Sequence, residues 1–186
     1  MKDFLKLVLI LFVTCAAAAG SLSFINQVTK TPIEEFVKIE KLDAMKKVQE
    51  QATDFKEIIK DRLWEAYNGG ELVGHVIQSK ITGYSGPITL MFGLDPGNAV
   101  TAVKVITQTE TPGLGAKINT PEFSAQYRAK TMDQLKIKKD DPQNGAIDAI
   151  TGATISSRAV TNGIRNDLEA FMAGTLGRTT DEGAKQ

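Results

Sequence analysis

A short run of small and hydroxyl-bearing residues, TGAT at positions 151–154, comes just before the predicted last helix. Glycine and alanine let the backbone approach a ligand closely, because they carry little side-chain bulk. A phosphate at Thr154 would lie at a helix N-terminus, where unpaired N–H groups and the helix dipole favour an anion, and Arg158 follows one turn later. No Walker lysine follows, so the run is not a nucleotide-hydrolysing P-loop. The alternative is a plain loop leading into a helix capped by Ser156 or Ser157.

Two more glycine-rich turns occur upstream, GYSGPI at 83–88 and TETPGLGAKI at 109–118. Each has an ordinary explanation, since Pro112 and Gly113 fit the centre of a type II turn and Tyr84 fits a core aromatic with its hydroxyl at the surface. Three such turns in one small domain instead favour a site for a flat or phosphorylated ligand, which glycine-rich backbone can approach and bind through its amides.

Composition limits the chemistry available to the chain. The 186 residues are 42% hydrophobic, enough for one core, and 22 basic residues balance 22 acidic ones, so no nucleic-acid partner is indicated. Cys15 and His75 are the only cysteine and histidine in the sequence, which leaves no Cys/His ligand set for a metal. A redox function would therefore need an organic cofactor. We interpret His75 as an ordinary strand residue.

The N-terminus predicts a membrane anchor over residues 1–30. Residues 7–25 carry no charge and are close to the length that spans a bilayer, while Lys2 and Lys6 precede them. The positive-inside rule then places the N-terminus in the cytoplasm and the remaining chain across the membrane. A cleaved signal peptide is the competing interpretation, because TCAAAAG offers small residues to a signal peptidase, and lipidation at Cys15 is a weaker one.

The remaining pattern predicts an α+β fold in one domain. Apolar residues at near-helical spacing predict an amphipathic helical segment over 31–66, followed by a domain over 67–175 and a flexible tail over 176–186. NGG at 68–70 predicts a hairpin between two strands, and DPGN at 95–98 predicts a turn between strands 87–94 and 99–108. Apolar residues at helical spacing predict the last helix: Val160, Ile164, Leu168 and Phe171.

DAITGAT at 148–154 resembles the flavinylation motif of the FMN-binding domain family, in which an FMN phosphate is esterified to the last threonine. ETPGLG at 110–115 and the GYSGPI turn resemble the other signatures of that family, in the same order. Together with the N-terminal span, the resemblance covers nearly the whole chain. It is strongest to the G subunits of Rnf ion-translocating ferredoxin:NAD oxidoreductases, and the C subunits of Na⁺-translocating NADH:quinone reductases are similar. Gln108 stands where many members have histidine.

The resemblance implies a membrane-bound electron-transfer subunit with covalent FMN and no catalytic residue of its own. Thr154 would tether the flavin, and a separate FMN transferase using FAD would recognise Asp148, Thr151, Gly152, Ala153 and Thr154. The partners implied are other subunits of the complex, including integral membrane subunits. The implied cofactor contacts are Tyr84, Ser85, Gly86, Glu110, Thr111, Gly113, Leu114, Gly115, Thr151, Gly152, Ala153 and Arg158.

Other functions fit part of the pattern. The chain fits a subunit of the related NADH:quinone reductase, or a flavin-binding domain of a membrane-linked regulator or extracytoplasmic reductase. A function from another class is a membrane-anchored, non-redox module for binding or assembly, in which the glycine turns are only loops.

Overall fold

The computed structural model describes the backbone of residues 2–176, with the side chains at 2, 3, 5, 17, 22 and 24–38 left out. The chain divides into two compact units, Met1–Lys41 and Leu42–Gln186. The N-terminal unit is helical and belongs to helix α1, Lys2–Val48. Its apolar side chains at 7–13 are exposed. Within the part of the chain that is described, no helix has the length and apolarity needed to cross a membrane.

The second unit is built on a five-stranded antiparallel sheet in which neighbours in sequence are neighbours in space. Its strands are β1 (Asp54–Ile59), β2 (Leu63–Asn68), β3 (Glu71–Thr82), β4 (Pro87–Leu94) and β5 (Val100–Gln108). Helix α2 (Pro121–Ala125) and helix α3 (Thr154–Met172) follow, with 3₁₀ turns at Gly115–Asn119 and Met132–Gln134. The predicted α+β class is confirmed, and so are the strand at 87–94 and the turns at 68–70 and 95–98.

Alternation along the strands divides the core between the two faces of the sheet. On one face, Ile77 and Phe92 pack with Val160, Ile164 and Leu168 of α3. On the other face, Trp64, Val76 and Met91 form a second cluster with the end of α1 at Ala44, Met45 and Val48. The sheet is therefore covered on both faces, and α3 is fixed against one of them.

The predicted helical segment over 31–66 is wrong beyond Val48. Phe55 and Ile59 lie on β1, and Leu63 begins β2. Residues four apart share a face in a strand as well as in a helix, so the spacing of Phe55 and Ile59 fits both structures. Pairing of β1 with β2 decides between them. The folded domain accordingly begins well before the predicted position 67.

The predicted C-terminal tail is corrected at its first residue. Leu176 is buried in the main core cluster, and its N–H donates to the Ala170 carbonyl at 3.0 Å. The rest of that prediction, residues 177–186, lies outside the described part of the chain.

Candidate functional site

The three glycine-rich turns converge because of the strand order. The first turn joins β3 to β4, and the second follows β5. Ile88 at the start of β4 pairs with Gln108 at the end of β5. Both turns therefore lie at the same end of the strands. The third turn leads into α3, which contacts β3 and the 3₁₀ turn that follows the second glycine turn.

The turns enclose a cleft of about 410 Å³, a volume in the range of small-molecule sites. Its walls are Tyr84 from the first turn, Glu110, Thr111, Leu114 and Gly115 from the second, and residues 152–156 from the third. Most of the cofactor contacts implied by the sequence resemblance thus line one cavity. Ile155 and Ser156 line it as well, and the sequence alone did not mark them as contacts.

The cleft carries unusually exposed apolar side chains at its mouth. Tyr84 is 71% exposed, Leu114 47% and Ile155 53%. Exposed aromatic and aliphatic groups around a concavity are typical of a surface that packs against a flat apolar ligand. Tyr84 is therefore not a core aromatic, which corrects the ordinary explanation of its turn.

Helix α3 begins at Thr154, and its N-cap residue, Ala153, offers no side-chain cap. The first intrahelical bond of this turn runs from Ser157 N–H to the Ala153 carbonyl at 3.0 Å, so the N–H groups of residues 154–156 precede it. Ser156 and Ser157 lie inside the helix and are buried, so the prediction that either caps it is wrong. The helix therefore presents uncapped amides at the cleft, an arrangement that favours a phosphate.

Four hydroxyls lie between positions 151 and 157, and the structure distinguishes them. Ser156 donates to Glu110 Oε2 at 2.6 Å, and Ser157 donates to the Ala153 carbonyl at 2.9 Å. Thr151 is exposed and lies outside the cleft wall. Thr154 lines the cleft, and among the described residues its hydroxyl has no hydrogen-bond partner. Only Thr154 in this segment combines access to the cleft with a free hydroxyl.

The glycines and the Ser157 hydroxyl shape the third turn. Gly152 has φ +78°, a left-handed conformation that favours glycine. Ser157 Oγ also accepts the Ile150 N–H at 3.0 Å, which ties the turn to the first turn of α3. Thr154 is consequently held between the Gly152 turn that precedes it and the Ser157 hydrogen bond that follows it.

Some residues that the resemblance implied as contacts do not line the cleft. Ser85 and Gly86 support it instead: the Ser85 N–H donates to Glu110 Oε1 at 3.0 Å, and the Gly86 carbonyl accepts the Gly83 N–H at 2.8 Å. Gly113 has φ +79°, the positive value that the predicted type II turn requires at that position. A Cβ added there would face open space.

Arg158 is turned away from the cleft, contrary to the prediction that it assists the phosphate. Its guanidinium binds Asp140 in a bidentate manner, at 2.6 Å from Nε and 2.7 Å from an Nη. The hydrogen bond from Arg158 holds the pKa of Asp140 below its usual value. One helical turn past Thr154, this side chain leaves α3 toward the loop that precedes the TGAT turn.

Asp148, implied as a recognition residue for the transferase, lies on the surface outside the cleft. Its carboxylate pairs with Lys138 Nζ at 2.6 Å, and its N–H donates to Gln126 Oε1 at 2.7 Å. Asp148 is therefore exposed but held in one place, next to the third turn.

The sequence predicts no Cys/His ligand set for a metal ion. In the described residues no three such side chains come together to hold an ion. His75 lies on β3 with its ring centroid 4.8 Å from that of Phe171, far along α3 from Thr154.

Residues 83–169, which include β4, β5 and the residues that line the cleft, match the family model described as an FMN-binding domain. That stretch contains all three turns and most of α3. A solved structure with a similar fold, that of the C subunit of the Na(+)-translocating NADH-quinone reductase from Parabacteroides distasonis, has a TM-score of 0.52 and 25% identity, with 62% of each chain covered.

The particular family follows from relatives that match most of this chain. The G subunit of the Na(+)-translocating ferredoxin:NAD(+) oxidoreductase complex of Acetobacterium woodii is 34% identical over 92% of this chain and 93% of its own length. The G subunit of the proton-translocating ferredoxin:NAD(+) oxidoreductase complex of Clostridium ljungdahlii is 32% identical, covering 73% and 74%. The chain belongs to the family of G subunits of ion-translocating ferredoxin:NAD oxidoreductase complexes, the Rnf family.

Proposed function

We propose that this protein carries electrons within an ion-translocating oxidoreductase complex, through FMN joined by a phosphoester to Thr154. The observation that carries the proposal is the free Thr154 hydroxyl in the wall of the cleft, beside the uncapped first turn of α3. The names of these two relatives and the FMN-binding domain match support the redox role. FMN supplies the ability to accept and donate electrons when it is bound.

The residues of the cleft fit this cofactor. The amides at the N-terminus of α3 would bind the phosphate, because the helix dipole there stabilises an anion by about 0.3–1 kcal/mol. Tyr84, Leu114 and Ile155 would pack against the ring system, since their apolar surface is exposed at the cleft. Gly115 and Gly152 keep the cleft free of side-chain bulk.

Attachment requires a donor and a second protein. We propose that an FMN transferase uses FAD: the Thr154 oxygen bonds to the phosphorus of the FMN half, the pyrophosphate bond breaks, AMP leaves, and the hydroxyl proton is released. Asp148 and the exposed face of the TGAT turn are the surface that such an enzyme would recognise. Their accessibility supports this role.

We further propose that α1 attaches the chain to a membrane through residues 7–25, with the domain on the extracytoplasmic side. The uncharged run and the two lysines before it support this topology. The integral membrane subunits of the complex are the partners that this arrangement implies. A covalent tether suits such a location, because FMN lost across the membrane is not easily replaced.

The test is expression of the full chain together with an FMN transferase, followed by in-gel flavin fluorescence after denaturation and peptide mapping. Thr154→Ala should abolish covalent flavin while the domain folds normally, because this hydroxyl caps no helix and lies outside the apolar core. Thr154→Ser keeps an oxygen that can be esterified and should retain partial loading. Thr151→Ala should weaken recognition without removing the linkage site.

The matched control is Thr107→Ala, an exposed threonine on β5 outside the cleft wall, which should load like the parent. Fluorescence that persists in Thr154→Ala, or flavin found on Thr151, Ser156 or Ser157, contradicts the assignment. A parent protein with no flavin after co-expression would instead favour the non-redox binding module.

A further inference from the structure

The Glu110 carboxylate lies where the three turns of the cleft meet. The side chain is 5% exposed, and both of its oxygens accept a hydrogen bond. Oε1 accepts the Ser85 N–H of the first turn at 3.0 Å, and Oε2 accepts the Ser156 hydroxyl of α3 at 2.6 Å. Since Glu110 itself belongs to the second turn, one side chain joins the first two turns to the start of α3, into which the third turn leads.

The backbone around the carboxylate is adapted to it. A Cβ added at Gly115 would lie 2.5 Å from Glu110 Oε2 and 2.8 Å from Ser156 Oγ. A Cβ at Gly83 would collide with Glu110 Oε1. A side chain at either position would displace the carboxylate from its present place, so these two glycines allow its close approach.

Gln108 fixes the main chain that carries Glu110. Its side-chain oxygen accepts the Glu110 N–H at 2.6 Å, just where the chain leaves β5 and enters the second turn. An acceptor two residues earlier in the chain holds the Glu110 amide in one orientation. The direction in which the Glu110 side chain leaves the backbone is thereby set.

We propose that Glu110, oriented by Gln108, is a positioning residue that holds the three turns at their correct separation before and after the flavin is attached. This inference rests on the proposed function, and it assigns Glu110 a role through its two hydrogen bonds and not through contact with the ring. Without the carboxylate, the Ser85 amide and the Ser156 hydroxyl lose their common acceptor, and the links that remain are the 3.4 Å contact between the Ser85 and Thr111 hydroxyls, the pairing of β4 with β5 and the packing of α3.

Two substitutions at this position separate the hydrogen bonds from the charge. Glu110→Gln keeps both contacts, because the amide oxygen accepts the Ser85 N–H and the amide nitrogen donates to the Ser156 hydroxyl oxygen. Glu110→Ala removes both. Gln108→Leu removes the acceptor of the Glu110 N–H, whereas Gln108→Glu retains an acceptor oxygen. Glu122→Ala, at an exposed glutamate on α2, is the matched control.

The first measurement is hydrogen exchange at the Ser85 amide in the full chain expressed without a transferase, which needs no flavin. We expect slow exchange in the parent, in Glu110→Gln and in Glu122→Ala, and exchange faster by several-fold in Glu110→Ala and Gln108→Leu. Gln108→Glu should restore slow exchange. The second measurement is visible circular dichroism of the flavin in protein expressed with a transferase, where Glu110→Ala should lose most of the signal and Glu110→Gln should keep it.

The inference is overturned if Ser85 exchanges equally fast in the parent and in Glu110→Ala. It is also overturned if Glu110→Gln is as defective as Glu110→Ala, because the charge would then matter and not the two hydrogen bonds. If Glu110→Ala does not fold, Ser156→Ala, which removes a single contact, must weaken the dichroism while α3 stays helical. A parent protein that carries no flavin contradicts the proposed function alone, since the exchange measurement still tests Glu110.

Discussion

The ring of His75 on β3 packs against Phe171 on α3, with centroids 4.8 Å apart and planes inclined by 57°. Its Nδ1 atom is buried and, within the described residues, has no hydrogen-bond partner. Burial lowers the pKa of His75 below its usual value of 6.5, and the nearby Glu65 carboxylate opposes this effect. The contact is therefore built for the neutral imidazole.

Stability should fall as the pH drops below about 6.5, the ordinary pKa of histidine. The sign follows from linkage: with a lower pKa when folded, His75 binds fewer protons in the folded state, so acid favours the unfolded chain. The loss should stop once the pH lies below the folded-state pKa. Urea unfolding between pH 8 and pH 5 measures the slope.

His75→Gln provides the control for that slope, because His75 is the only histidine in the sequence. The variant should show a nearly flat profile over the same range. An equal slope in the variant and the parent would assign the effect to other groups.

Gly113→Val should destabilise the second turn and alter the environment of the flavin. Gly113 has φ +79° with open space around the position of a Cβ, so the cost is conformational strain and not a clash, about 1–2 kcal/mol. Thermal unfolding measures the loss of stability, and the visible spectrum of the loaded protein measures the flavin environment.

Gly69→Val is the matched control for strain, because Gly69 has φ +59°, also faces open space, and lies in the β2–β3 hairpin. It should lower stability without changing the flavin spectrum. If the two variants share an unchanged spectrum, the second turn does not contact the ring.

Arg158→Ala should leave flavin loading close to that of the parent. The guanidinium is committed to Asp140 and does not line the cleft, so the phosphate would depend on the amides of α3 and not on this charge. In-gel flavin fluorescence after denaturation measures loading, and Thr154→Ala is the negative control that carries no covalent flavin. A loss as large as that of Thr154→Ala would mean that Arg158 leaves Asp140 when FMN is present.

Cys15 offers a direct test of membrane attachment, because it is the only cysteine and lies within residues 7–25. Its side chain is exposed in the structure. If this segment lies in a bilayer, a membrane-impermeant maleimide should not label Cys15 in intact membranes but should label it after detergent is added. Rapid labelling without detergent, or a mature N-terminus near Ala19 or Gly20, contradicts the proposed topology.

Local sequence determined much of this protein. Strand β4 begins and ends where the sequence predicts, because its apolar composition and the neighbouring turns at 83–86 and 95–98 are local signals. The glycine required by a positive φ at position 113 was predictable for the same reason. The position of Thr154 at the start of the last helix also follows from local pattern.

Tertiary structure decided which residues share the cleft. Pairing of Ile88 with Gln108 brings two turns to the same end of the strands, and packing of α3 brings the third turn to them. Both contacts join residues that are distant in sequence, so no short stretch of sequence encodes them. The same holds for Glu110, whose acceptor role depends on donors 25 and 46 positions away in the chain. Helical spacing placed Arg158 near Thr154, but Asp140, 18 positions earlier, draws it away. Periodicity and turn chemistry are local properties, whereas side-chain partners depend on the closure of the whole fold.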